Sequence, residues 1–216
     1  MAAAGRGRVS TLSDAVGAIL LAGGRATRLD GRAKPLLEIG GRSLLAAAIA
    51  GARDAGARPI TVVAPVLEER TDVDWVREDP PFAGPAAATV AALRAWDATG
   101  EIPAWTLLLA CDLPRADEAV ARLTADAALL GTDSDGLCLG DRTGRPQWLT
   151  GLYRTDALRE SAYAVPDAAR DAPVRALFDD RAITVITDLQ GLTDDVDTWE
   201  DLHRARALAD RPEEAS

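Results

Sequence analysis

A chain of 216 residues, 48% of them apolar, is long enough for one well-filled core, so one domain is the default. A formal net charge of -10 and a pI near 4.6 exclude a general nucleic-acid surface, which needs clustered lysine and arginine to displace counterions. No apolar run reaches the ~18 residues that span a bilayer, and the Ala/Gly/Arg start lacks the apolar stretch of a secretory signal, so the expected location is the cytoplasm.

In chain order the pattern predicts a strand at 16–22, a helix at 43–55, a strand at 60–64, a helix at 85–97, a strand at 105–111 and a helix at 117–130. Strands at 136–139, 148–153 and 183–187 follow, then a helix at 198–209. Runs such as WTLLLAC at 105–111 are apolar throughout rather than alternately, which indicates burial on both faces. The predicted class is a Rossmann-like three-layer α/β/α fold with a mainly parallel sheet, in which ligands bind beyond the carboxyl ends of the strands. Residues 1–14 and 210–216 read as flexible tails around a single domain at 15–209. The charged, proline-rich stretch 65–82 reads as a surface segment near the ligand. Cys111 and Cys138 are too far apart for a C-x-x-C pair and read as core residues. His203, among arginines on the last helix, reads as a surface residue without a role.

Directly after the first strand, LAGGRATRLDGRAKPLL at 21–37 brings three glycines, three arginines and a lysine into an acidic chain. Gly23 and Gly24 give a sharp turn and room for a phosphate against the backbone, while Arg25, Arg28, Arg32 and Lys34 supply cations. The composition is that of a phosphate cradle. Pro35 stands where a P-loop would have Ser or Thr, and the G-x-G-x-x-G pattern fails. At the end of WTLLLACDLP, Asp112 breaks an apolar strand, where a carboxylate can hold a hard cation beside phosphates; a turn aspartate is the plainer alternative.

The pattern AGGxxxRLxxxxKPLLxIxGxxLL, from Ala22 to Leu45, resembles the opening signature of sugar-nucleotide and molybdopterin nucleotidyltransferases, and CDLP resembles the metal-binding motif of the molybdopterin guanylyltransferases. The resemblance implies that Leu21, Ala22, Gly23, Gly24 and Lys34 bind a nucleotide, that Arg28 is a second phosphate cation, and that Asp112 binds Mg²⁺. EDPPFAGPAAATVAAL at 78–93 resembles the family's acidic loop before a helix, which implies a nucleotide contact from Asp79, with Glu78 in its place if the loop is offset. The chain departs from the family pattern at Ala33, Ala64 and Ala88.

DDVDTWEDL at 194–202 resembles the family's last motif. Asp197 with Glu200 has capping-box spacing and reads as a helix cap, while Asp195 could share the metal with Asp112. GRPQWLTGLYRTDAL at 144–158 resembles the strand that lines the acceptor pocket, which implies that Gln147, Trp148 and Arg154 meet the acceptor; core packing is the plainer reading of Trp148.

By this resemblance the chain is an Mg²⁺-dependent enzyme that transfers GMP from GTP to molybdopterin or Mo-molybdopterin, with Arg28, Lys34 and Asp112 carrying catalysis. CTP transfer to the same pterin, another small-molecule phosphate acceptor, and an inactive nucleotide-binding module are the rivals. The expected assembly is a monomer or weak homo-oligomer, with molybdoenzymes as delivery partners.

Overall fold

The computed structural model describes residues 15–24 and 33–210. Its centre is a seven-stranded sheet built from β1 (Val16–Leu21), β4 (Ile60–Val63), β5 (Asp74–Val76), β6 (Trp105–Ala110), β7 (Gly136–Gly140), β8 (Pro146–Arg154) and β9 (Ile183–Thr187). In space the order is β5-β4-β1-β6-β8-β7-β9, and a separate hairpin joins β2 (Glu38–Ile39) to β3 (Arg42–Ser43). All pairings in the large sheet are parallel except those of β8, which runs antiparallel to β6 and β7.

Helices α1 (Leu44–Asp54), α2 (Pro85–Thr99), α3 (Ala116–Asp126), α4 (Thr155–Ala164) and α5 (Trp199–Ala209) surround it. One face packs against α1 and α3 through Leu45, Ile49, Val120 and Leu123, with Leu107 and Leu109 beneath them. The opposite face takes α2 and α4, where Leu93, Trp96 and Leu158 meet Ile19 and Leu108. Neighbouring residues of β6 thus enter different cores, which is why its sequence is apolar without alternation. Each fully buried leucine contributes about 2 kcal/mol relative to exposure. A smaller cluster of Leu37, Leu44, Val196 and Leu202 fastens α5 near α1.

Local chemistry explains the element ends. Ser43 caps α1, its hydroxyl accepting from the Ala46 amide at 3.1 Å. Pro85 opens α2, and Gly100, at φ +74°, closes it in the left-handed conformation that glycine tolerates. The predicted helix at 117–130 is α3 followed by a 3-10 turn at Ala127–Leu129.

Besides the short β2–β3 hairpin, one strand and one helix escaped the sequence pattern. The 65–82 stretch contains β5, which extends the sheet beside β4. Helix α4 presents Thr155, Leu158, Ser161 and Ala162 inward, a helical spacing carried mostly by small or polar residues. The reversal of β8 follows from the connection before it: five residues between β7 and β8 suit a hairpin, whereas a parallel crossover needs about a dozen or more. No helix among the described residues is long and apolar enough to cross a membrane.

Candidate active site

Leu21 is level with Val63 on one side and Ala110 on the other, so β1, β4 and β6 end at a common edge. Residues 22–24, Ala64, Cys111 and Asp112 therefore converge there. Backbone bonds fix the edge: the Ala22 amide donates to the Val63 carbonyl at 3.2 Å and the Cys111 amide to the Leu21 carbonyl at 2.9 Å. Gly24 adopts φ +141°, which side-chain-bearing residues rarely take. A Cβ on Gly23 would make only an ordinary 3.5 Å contact with the Val63 carbonyl.

Lys34 enters this edge from a 3-10 turn, Lys34–Leu36, started by Pro35 and anchored by buried Pro35 and Leu37. Its Nζ donates to Asp112 Oδ2 at 2.9 Å and to Asp197 Oδ1 at 2.7 Å. Burial opposes the charge on Lys34, but the Asp112 and Asp197 carboxylates outweigh it and raise the pKa. Two of the three ammonium donors are thereby used, leaving one for a phosphate oxygen.

Asp195 completes a carboxylate group: one oxygen each from Asp112, Asp195 and Asp197 lies within 4.8 Å of the others. Burial first, then the charges of Asp112 and Asp197, push the Asp195 carboxyl above its ordinary pKa. Among the described residues, this hard oxygen set is one that could hold a magnesium-like cation.

The segment carrying Asp195 and Asp197 is fixed from behind. The Val196 amide donates to the Asp112 carbonyl at 3.0 Å, and the Val196 side chain is fully buried between two exposed aspartates. Upstream, Asp188, only 2% exposed, accepts from the amides of Gln190 and Thr193 at 2.8 Å each and from the Thr193 hydroxyl at 3.1 Å. Although burial raises its pKa, the backbone amides of Thr193 and Gln190 prevail and lower it. Arg115 Nη1 donates to the Gln190 carbonyl at 2.8 Å.

Of the residues singled out from sequence, Leu21, Ala22, Gly23, Gly24, Lys34 and Asp112 line one cleft of about 490 Å³. Arg25, Arg28 and Arg32 lie outside the described residues. Asp79 is exposed and does not line the cleft; Glu78 does. Asp197 is not the cap of α5. Thr198 is, in a capping box with Asp201, and this one-residue shift leaves the Asp197 carboxylate for Lys34.

The acceptor-side residues scatter. Trp148 stacks on Phe178 at 5.0 Å between ring centroids, and Gln147 Nε2 donates to Asp141 Oδ2 at 3.4 Å. Arg154 requires a correction: because β8 is antiparallel, it sits opposite Trp105, at the amino end of β6 and the far edge of the sheet. There Arg154 Nε donates to the Ser134 carbonyl at 2.9 Å and its guanidinium lies 4.7 Å from the Trp105 ring centroid. Sequence reasoning overlooked Arg77 and Phe82, which also line the cleft, and Asp188 behind it. The only advance signal was the position of 77–82 just before a helix that starts at the cleft edge.

The family model for the MobA-like NTP transferase domain matches residues 18–186. No curated protein matches the chain by sequence. Solved structures match over most of its length. Molybdopterin-guanine dinucleotide biosynthesis protein A from Archaeoglobus fulgidus is 18% identical with a TM-score of 0.64, covering 89% of this chain and 97% of that one. A nucleotidyl transferase from Methanothermobacter is 21% identical with a TM-score of 0.67, covering 90% and 97%. The 4-diphosphocytidyl-2C-methyl-D-erythritol synthase from Anaerococcus prevotii is 16% identical with a TM-score of 0.63, covering 92% and 97%. At these identities the structures share the fold, while the family match spans the glycine loop, Lys34 and Asp112. The chain belongs to the MobA-like NTP transferase family and is a nucleotidyltransferase.

Proposed function

We propose that this enzyme transfers GMP from GTP to the terminal phosphate of molybdopterin or Mo-molybdopterin, in the cytoplasm, forming the guanine dinucleotide cofactor and releasing pyrophosphate. The observation that carries the reading is Lys34, held between Asp112 and Asp197 at the edge where the glycine loop leaves β1. GTP is favoured over CTP by the AGG and CDLP sequences, and the Archaeoglobus fulgidus neighbour bears the matching name.

In the reaction an acceptor phosphate oxygen forms a bond to the α-phosphorus of GTP, and the bond from that phosphorus to the bridging oxygen of pyrophosphate breaks. An ionised acceptor phosphate needs no general base. Amides of the glycine loop and the free donor of Lys34 hold the phosphates, and Arg28 adds charge. Asp112 and Asp195, with Asp197, would bind Mg²⁺. When bound, this ion neutralises phosphate charge and acts as a Lewis acid. The protein's share is positioning and charge.

The test is incubation with molybdopterin and either GTP or CTP, with pyrophosphate release and the dinucleotide product measured together. A guanine product with GTP, lost in Asp112→Asn, supports the reading. A cytosine product, or nucleotide binding without turnover of any acceptor, overturns it.

A further inference from the structure

Phe82 is oddly placed for a phenylalanine. It is 48% exposed, and its backbone stands at φ +65°, where a bulky side chain is disfavoured. Exposure and strain are poor company for a residue whose only task is packing, and strained residues gather where a ligand is held. Its neighbours keep it there. The Phe82 amide donates to Glu78 Oε1 at 2.9 Å, the Ala83 carbonyl accepts from the Asp171 amide at 2.8 Å, and α2 begins at Pro85.

The ring stands in the wall shared by two cavities. The first, about 490 Å³, contains the glycine loop, Lys34 and Asp112; the second, about 320 Å³, reaches Leu149 and the start of α2. Both are lined by Gly23, Gly24 and Asp112 as well as by Phe82. A nucleotide whose phosphates lie on the loop therefore has an aromatic face in the same cleft. The Arg77 guanidinium stands 5.9 Å from the ring centroid, a loose contact beside the same platform.

We propose that Phe82 is the stacking platform for the nucleotide's base and favours purines over pyrimidines. This rests on the nucleotidyltransferase reading of the cleft. A purine presents more stacking surface than a pyrimidine, and the contact is indifferent to the phosphates.

The test measures Mg²⁺-dependent binding of GTP, ATP, CTP and inorganic tripolyphosphate by calorimetry to the wild type, Phe82→Ala, Phe82→Gly and Phe82→Trp. Phe82→Ala and Phe82→Gly are expected to raise the Kd for GTP and ATP about tenfold and that for CTP less, with tripolyphosphate unchanged. Phe82→Trp retains GTP affinity. Phe82→Gly also melts no lower than the wild type, because glycine accepts the left-handed backbone, and a purely structural role would not separate affinity from stability in this way. Unchanged GTP affinity in Phe82→Ala, or equal loss of tripolyphosphate, overturns the proposal. A wild type that binds no nucleotide refutes the enzyme reading itself.

Discussion

The two halves of the sheet treat strand ends differently. In the β4-β1-β6 half every strand is parallel, and the residues after each strand meet at one edge: the glycine loop, Ala64 and Asp112. In the β8-β7-β9 half one strand is reversed, so Gln147 near the start of β8 and Arg154 at its end fall toward opposite edges. A functional motif read along a strand gives a position in the site only when the direction of that strand is known.

The sharpest way to break this contrast is to replace a group in each half. Asp112→Asn removes a carboxylate from the convergent edge and should lower kcat by about a hundredfold or more, since it loses the charge that faces Lys34 and that the proposed cation would need. Lys34→Ala should raise the Kd for GTP by about tenfold or more in calorimetry, with the Asp112 and Asp197 carboxylates left facing each other.

Asp188→Asn tests the segment behind the site. Its amide would set donors against backbone donors and should cost about 1–3 kcal/mol in thermal or denaturant unfolding. The pH dependence has a definite sign. Because the folded pKa of Asp188 lies below the ordinary 3.8, its contribution is complete above that value and fades as pH falls through the folded value. The gap in melting temperature between wild type and Asp188→Asn should therefore narrow in strong acid. The smallest effect belongs to Arg154→Ala, about 1 kcal/mol of stability from its carbonyl bond and its ring contact, with KM for both substrates unchanged. A rise in acceptor KM would return Arg154 to the acceptor site.

Most of the parallel half was legible because its signals are local. Buried strands are apolar throughout, Gly24 marks a turn, and Asp112 interrupts an apolar run at its carboxyl end. The errors have physical sources too. Asp197 and Glu200 imitate a capping box one residue out of register with the true Thr198 and Asp201 pair, and the side chain released by that shift is the one Lys34 holds. The direction of β8 was implicit in the short connection at 141–145, where Asp141 accepts from the Thr143 and Arg145 amides to tighten the hairpin. Helix α4 lacked an apolar stripe because its inward face is built from Thr155, Ser161 and Ala162 around a single leucine. Nothing in the letters PPFAG marks the left-handed backbone of Phe82, since a glycine usually stands where such a conformation is needed.

The Lys34 to Asp197 bond spans 163 positions of the chain, and the Val196 amide that aligns its acceptor reaches back to Asp112. During synthesis the ribosome releases the glycine loop, Lys34 and Asp112 long before either late aspartate. Contacts of such long range are rewarded only after the entropy of the intervening loop has been overcome. A nascent or carboxyl-truncated chain can thus assemble much of its sheet while its lysine still lacks one anchor. The second anchor of Lys34 therefore arrives only with the segment just before α5, after every strand of the large sheet has been made.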